Sequence, residues 1–186
     1  LEVSALSSSV AEMPSVTGAC PQLLTAAVRH AVRAGGCWQD TADRVVAALR
    51  GRLPGPGLLS AAQLAGDPSG YQTHLVHAEP DGSFSIVVMV WLPGQQTSVH
   101  DHLTWCVTAV LAGTEYEEVY ANRGDHLQVV ARNANPVGTV SGFAPPGDIH
   151  QVTNIGDTTA ISMHVYGTDI TRVGSSVRRI YDLPLR

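Results

Sequence analysis

The spacing of hydrophobic positions changes character once along this chain, near Gly66. Before it, apolar residues recur three and four apart. The stretch "PQLLTAAVRHAVRAGG" puts Leu24, Val28, Ala31 and Val32 near one helical face and stops at Gly35-Gly36. The stretch "DTADRVVAALRGRLPGPG" reads as a second helix, with Asp40 as its N-cap and a Pro/Gly cluster beyond its end. A third, short helix is predicted in "SAAQLAG".

After Gly66 the pattern shortens. "YQTHLVHAEP" and "SFSIVVMVWLPG" read as two strands about an Asp81-Gly82 turn. "TWCVTAVLAG", "TEYEEVYAN", "HLQVVARN", "GTVSGFAPPG", "IHQVTNIGD" and "TAISMHVYG" follow, each short, rich in β-branched or aromatic residues, and bounded by turn formers. Many short strands at this spacing predict a sandwich or closed barrel. The expected organisation is an N-terminal arm and helical cap over 1–66 and a β-barrel over 67–186, together one structural domain.

Composition narrows the function classes. The net charge is −5 and the 11 basic residues are scattered, so no basic stripe points to nucleic acid. No stretch approaches the ~20 apolar residues of a membrane span. The N-terminal "LEVSALSSSVAEMPS" lacks the basic start and long apolar core of a secretory signal and reads as a loose arm. Three cysteines, Cys20, Cys37 and Cys106, have no framework spacing, which predicts a reduced, cytoplasmic setting. A helical cap of this kind packs within or between chains, so the oligomeric state stays open.

The chemistry begins at "SVHDHLTWC". Side chains alternate along a strand, so His100 and His102 point the same way and can grip one metal ion. Imidazole suits zinc, copper, iron and nickel, so zinc hydrolysis and a nickel or copper oxygenase stay open at this point. Around the pair, Gly94, His100, His102 and Gly113 form one spaced set, and Pro145, Gly147, His150 and Asn154 another. This spacing resembles the two signature motifs of the cupin superfamily. The resemblance implies a mainly β, cupin-type small β-barrel (jelly roll) with a metal held by His100, His102 and His150. The cupin motif ends in a glutamate where this chain has Cys106, and Gly138 is one position off the usual start of the second motif. Three neutral imidazoles leave the full charge of a divalent ion, which favours an anionic ligand such as a thiolate.

A second pattern lies in "AISMHVYGTD". Ser162, His164 and Tyr166 share one strand face, and three polar side chains there are expensive unless they bond to one another or to a ligand. A relay in which Ser162 orients His164 and His164 orients the Tyr166 phenol is the natural solution. His-x-His, Cys106, His150 and then Ser-x-His-x-Tyr resemble the thiol dioxygenases of the cysteine dioxygenase family, from about Tyr71 to Tyr166 and on toward Tyr181. Trp91 and Gly94 also fit. The resemblance implies a mononuclear Fe(II) enzyme that uses O2 to oxidise a small thiol carboxylate to its sulfinic acid.

Within that family, cysteine dioxygenases hold the substrate carboxylate with an arginine two residues after a tyrosine. Here Tyr71 matches but Thr73 stands in the arginine's place. The bacterial 3-mercaptopropionate dioxygenases use a glutamine on the early strand and a later arginine. Gln72 is the candidate for the first, and Arg172, Arg178 and Arg179 for the second, with "VRRIY" the nearest match. Trp105 and Cys106 are expected near the site, Cys106 as a small apolar residue rather than a cross-linked one. Cys20, Cys37, His30, His74, His77 and His126 have no partner pattern and are read as packing or surface residues. The rival readings are an L-cysteine dioxygenase, a cupin dioxygenase for a substrate without sulfur, and a non-catalytic cupin that binds a small acid.

Overall fold

The structure is a computed structural model that describes residues 19–186. The arm read over residues 1–18 lies outside them, as does the Cys20 side chain.

Helices α1 (Ala19–Arg33) and α2 (Trp38–Leu49) form as the apolar spacing predicts. Their shared face buries Leu24, Val28, Val45, Val46 and Leu49. The start of α2 differs from the expectation at Asp40: the N-cap is Cys37. The Asp40 N–H donates to Cys37 Sγ at 3.4 Å, and the Asp40 carboxylate accepts from the Cys37 N–H at 3.4 Å. That reciprocal pair is a capping box, which places the acid in the first turn instead of at the cap. The short helix α3 (Ala61–Leu64) is capped the same way by Ser60 and Gln63.

Ten strands follow. One antiparallel sheet has the order β1 (Gln72–Ala78), β2 (Ser85–Trp91), β9 (Ala160–Tyr166), β4 (Cys106–Ala112), β7 (Val140–Phe143). The other has the order β10 (Val177–Ile180), β3 (His100–His102), β8 (His150–Thr153), β5 (Thr114–Asn122), β6 (Leu127–Pro136). The two face each other as the jelly roll that the cupin resemblance implies. A short helix α4 (Ile170–Val173) leads into β10, in a stretch where the apolar spacing predicts no element.

The first sheet is covered on both sides, which explains why "SIVVMVW" and "AISMHVY" are buried at every position. Strands covered on one face alternate, whereas strands covered on both read as continuous runs. Ile86, Val88, Val90, Met163 and Val165 pack outward against the helices. Val87, Met89, Trp91, Cys106 and Tyr166 pack inward. Gly142 on β7 admits α2: a β-carbon there would lie 2.8 Å from Val46 Cγ2. The second sheet leaves much of its outer surface to solvent, and β6 is mostly exposed.

Two ties hold the parts in register. Asn154, at the end of the second histidine motif, donates through Nδ2 to the carbonyls of Trp91 and Thr158, both at 2.9 Å. It therefore fixes the end of β2 against the chain beyond β8. On the other side, Arg29 of α1 makes a two-pronged bond to the buried Glu79, at 2.6 and 2.9 Å, and His77 adds a third contact at 2.7 Å. The hydrogen bond from Arg29 overrides burial and lowers Glu79 from 4.5 to about 2. A carboxylate lowered by folding stabilises the fold fully above its unfolded value, near 4.5, and loses that contribution as the pH falls toward about 2. The thermal midpoint of the protein is expected to drop across that interval, and Glu79→Gln to flatten the drop. Equal acid slopes in the two proteins would show that the tie contributes nothing.

Candidate metal centre and its relay

Strand β3 is three residues long and carries the histidine pair, with the Cα of His100 in register with that of His150 on β8. Adjacent strands thus bring together residues 48 and 50 positions apart in the chain. His100, His102 and His150 are 7%, 3% and 5% exposed. Their ring centroids lie 4.8, 4.8 and 5.0 Å apart. One nitrogen from each falls within 4.8 Å of the others. A first-row ion with bonds of about 2.1 Å would draw such nitrogens closer together.

The outward nitrogen of every ring is already used. His100 Nδ1–H donates to the Ser98 carbonyl at 2.9 Å, His102 Nδ1–H to Asp148 Oδ2 at 3.1 Å, and His150 Nδ1–H to Glu117 Oε1 at 2.7 Å. This fixes one tautomer in each ring and leaves the three Nε2 lone pairs for an ion. Burial, reinforced by the neighbouring imidazoles, lowers His100 to about 3, and burial also lowers His102 despite its bond to Asp148. Both are therefore neutral at physiological pH, the form that binds metal.

The carboxylate absent from the first motif is present one layer out. Burial pushes Glu117 and Asp148 upward, but hydrogen bonds from His150 and His102 outweigh it and keep both below their ordinary values. Asp148 also accepts from the His102 backbone N–H at 2.9 Å. Two negative charges therefore stand behind the three imidazoles, which corrects the expectation of an uncompensated divalent charge. Asp148→Asn is expected to weaken metal binding by about 10- to 100-fold. Competition with a chelator of known affinity measures this, and an unchanged constant would show that Asp148 does not orient His102.

The relay forms on β9, facing the imidazoles. Ser162 Oγ lies 2.9 Å from His164 Nε2, and the Tyr166 hydroxyl 3.3 Å from His164 Nδ1. The Tyr166 ring stacks alongside His102 with centroids 6.3 Å apart. Burial lowers His164 to about 3 and raises Tyr166 well above its ordinary value, so both are neutral. Trp91 Nε1–H donates to Ser162 Oγ at 3.1 Å, and Tyr71 packs on Trp91 with ring centroids 4.4 Å apart. Phe143 closes another side, 5.0 Å from His102 and 5.1 Å from His150.

The remaining sequence-predicted residues separate into two groups. Tyr71 and Cys106 belong to the inward-facing cluster, and burial holds the Cys106 thiol protonated. Trp105 belongs to the core beneath the helices. Gln72 alternates with Tyr71 and Leu75, two members of the inner cluster, and its Nε2 donates to the Gly70 carbonyl at 3.2 Å. Arg172 pairs with Asp169 at 2.9 Å, Arg178 with the carboxylate of Asp101, and Arg179 lies over the Tyr181 ring at 4.8 Å. No contact joins these three guanidinium groups to the imidazole cluster among the described residues. Asp101, between the two ligand histidines, is 1% exposed and also accepts from the Tyr181 hydroxyl at 2.8 Å. Arg178 and Tyr181 thereby clamp β10 onto the ligand strand.

Sequence reasoning did not single out Glu117, Asp148, Ser98 or the Trp91–Ser162 bond. Asp148, two residues before His150, was the one with a local signal.

A jelly roll with three buried imidazoles converging beneath a tyrosine relay forms a cupin-type candidate metal centre. A family model described as cysteine dioxygenase type I matches residues 61–175, more than half of the chain, and this protein belongs to that family. Its members are oxygen-using oxidoreductases. The match includes the three histidines and the relay and ends before Arg178. Among solved structures, the TT1209 protein of Thermus thermophilus is 21% identical, with 59% of this chain and 95% of that one aligned and a TM-score of 0.47. A cupin 2 conserved barrel domain protein from Salinispora arenicola is 23% identical over 52% and 74%, with a TM-score of 0.41. Recombinant oxalate oxidase in complex with glycolate is 18% identical over 55% of this chain and about half of that one, 53%, with a TM-score of 0.44. No described helix is long and apolar enough to cross a membrane.

Proposed function

We propose that this protein is an Fe(II)-dependent thiol dioxygenase acting on a small thiol carboxylate such as 3-mercaptopropionate. The observation that carries the reading is the convergence of His100, His102 and His150 on one point, with all three Nδ1 atoms bonded outward, directly beside Tyr166. The three imidazoles would hold the ion through Nε2. Ferrous iron held there would supply the redox chemistry for adding both atoms of O2 to the thiol sulfur, giving the sulfinic acid.

The chain's own residues do the rest. Phe143, Cys106, Val152 and Met89 give the inner cluster beside the imidazoles an apolar character, which suits a short alkyl thiol. Tyr166, fixed through His164 and Ser162, presents a polar hydroxyl within that apolar wall to orient the substrate. Thr73 in place of an early arginine supports a substrate other than L-cysteine. The family match supports L-cysteine as the second reading.

Metal analysis of the purified protein, followed by oxygen uptake with 3-mercaptopropionate, cysteine and cysteamine in parallel, tests the proposal. Iron at about one per chain and the largest kcat/KM with 3-mercaptopropionate are expected. A preference for cysteine would transfer the assignment to the second reading. No oxygen uptake with any thiol by the iron-loaded protein would overturn both.

A further inference from the structure

Next to the relay lies a buried acid that the proposed chemistry does not use. Glu115 on β5 is 3% exposed, and its Oε1 has no hydrogen-bond partner. Its carboxyl group faces the Ser162 hydroxyl. The titratable groups that act on it or feel it are Glu117 on its own strand, Cys106 on β4 and Tyr166 on β9, none of which is a cation. A carboxylate buried without a positive partner normally takes up a proton instead.

Counting protons shows what this acid controls. The Ser162 oxygen has one hydrogen and two lone pairs. Trp91 Nε1–H occupies one lone pair. In a hydrogen-bonded chain that extends from His164 through Ser162 to Glu115, the hydrogen and the remaining lone pair serve His164 Nε2 and Glu115 between them. If Glu115 is ionised, it can only accept. Ser162 then donates to it, His164 carries its proton on Nε2, and Tyr166 must donate to Nδ1. If Glu115 is the neutral acid, it donates to Ser162, Ser162 donates to His164 Nε2, and Nδ1–H donates to the phenol oxygen. The Tyr166 O–H is then free to point at a substrate or at Ser176, the hydroxyl beside it.

We propose that Glu115 is the terminal member of the Ser162–His164–Tyr166 relay, a positioning residue that, as the neutral acid, turns the Tyr166 O–H toward the substrate. Burial raises Glu115 to about 7, with the Ser162 hydroxyl opposing and Glu117 adding to the rise, so the switch between the two arrangements lies at physiological pH. The effect on turnover rests on the function proposed above; the direction of the relay does not.

Histidine-selective 15N NMR of the metal-free full chain tests it without catalysis. His164, assigned by difference from His164→Gln, is expected as the Nδ1–H tautomer at about pH 6 and the Nε2–H tautomer at about pH 9. In Glu115→Gln the tautomer no longer changes with pH, and Ser162→Ala, which cuts the relay, gives the same invariance should the first variant not fold. An Nε2–H tautomer throughout in the wild type, or a switch that persists in either variant, overturns the proposal. In the iron-loaded enzyme, kcat for the thiol is expected to fall at least about tenfold over that range in the wild type and to stay level in Glu115→Gln, with KM little changed. A parallel fall in both proteins overturns the proposal as well. Absence of any thiol turnover by the wild type counts against the functional reading, and the NMR result then decides on Glu115 by itself.

Discussion

His150→Ala is expected to empty the metal centre. The wild type should carry about one ion per chain and the variant close to none when both are measured by metal analysis after the same purification. The reason is geometric. His100 and His102 come from one three-residue strand, and on their own they offer a two-point grip. His150 reaches the same point from the neighbouring strand, in register with His100, and closes the face of the site. Structural zinc sites with four ligands bind with roughly 10–16 kcal/mol, so one ligand in such a set contributes roughly 3–4 kcal/mol, or about 10²- to 10³-fold in affinity. The loss is compounded because Glu117, held ionised by its 2.7 Å bond to His150, would face an empty space. His126→Ala is the control, since among the described residues that imidazole bonds only to its neighbour Asp125. Retention of the ion by His150→Ala would show that the three rings do not form one site.

The parts of this site that could be read from the sequence are those set by local periodicity. A strand places residues two apart on one face, so His100 with His102, and Ser162 with His164 and Tyr166, were bound to face together once the strands were recognised. Helices α1 and α2 were legible for the same reason, because apolar residues three and four apart must be buried together. What could not be read depends on strand pairing. Glu117 meets His150 only because β5 lies beside β8, and no spacing in the chain reports that adjacency. Asp101 draws Arg178 and Tyr181 to itself because β10 pairs with β3, which turns a candidate carboxylate clamp into a support for the ligand strand. The "VRRI" pattern has too few apolar residues to announce a strand, and β10 is a strand because the edge of β3 supplies its hydrogen bonds. Glu115 is the strongest case. In "TEYEEVY" it looks like one more surface acid, and only the facing sheet makes it one of the most buried carboxyl groups among the described residues.

Tyr166→Phe separates holding the metal from using it. The phenol is not among the three converging ligands, and its ring fills the inner core beside Cys106 and Phe143. Phenylalanine keeps that ring and its stacking along His102, so the ion is expected to stay at the wild-type level. What disappears is the hydroxyl that the relay aims at the substrate. Positioned proton donors contribute about 10²- to 10⁴-fold, so kcat is expected to fall about 100-fold or more. His164 Nδ1, buried and now without its partner, adds a stability cost of about 1–3 kcal/mol, visible as a lower thermal midpoint of the folded variant. Iron content, oxygen uptake and sulfinate yield, measured on one preparation, distinguish the possibilities. Iron lost together with activity would make Tyr166 a part of the metal-holding structure. Full activity would remove the relay from the reaction. Retained iron with a hundredfold slower turnover is the outcome that follows from a phenol aimed by Ser162 and His164 at a molecule bound beside it.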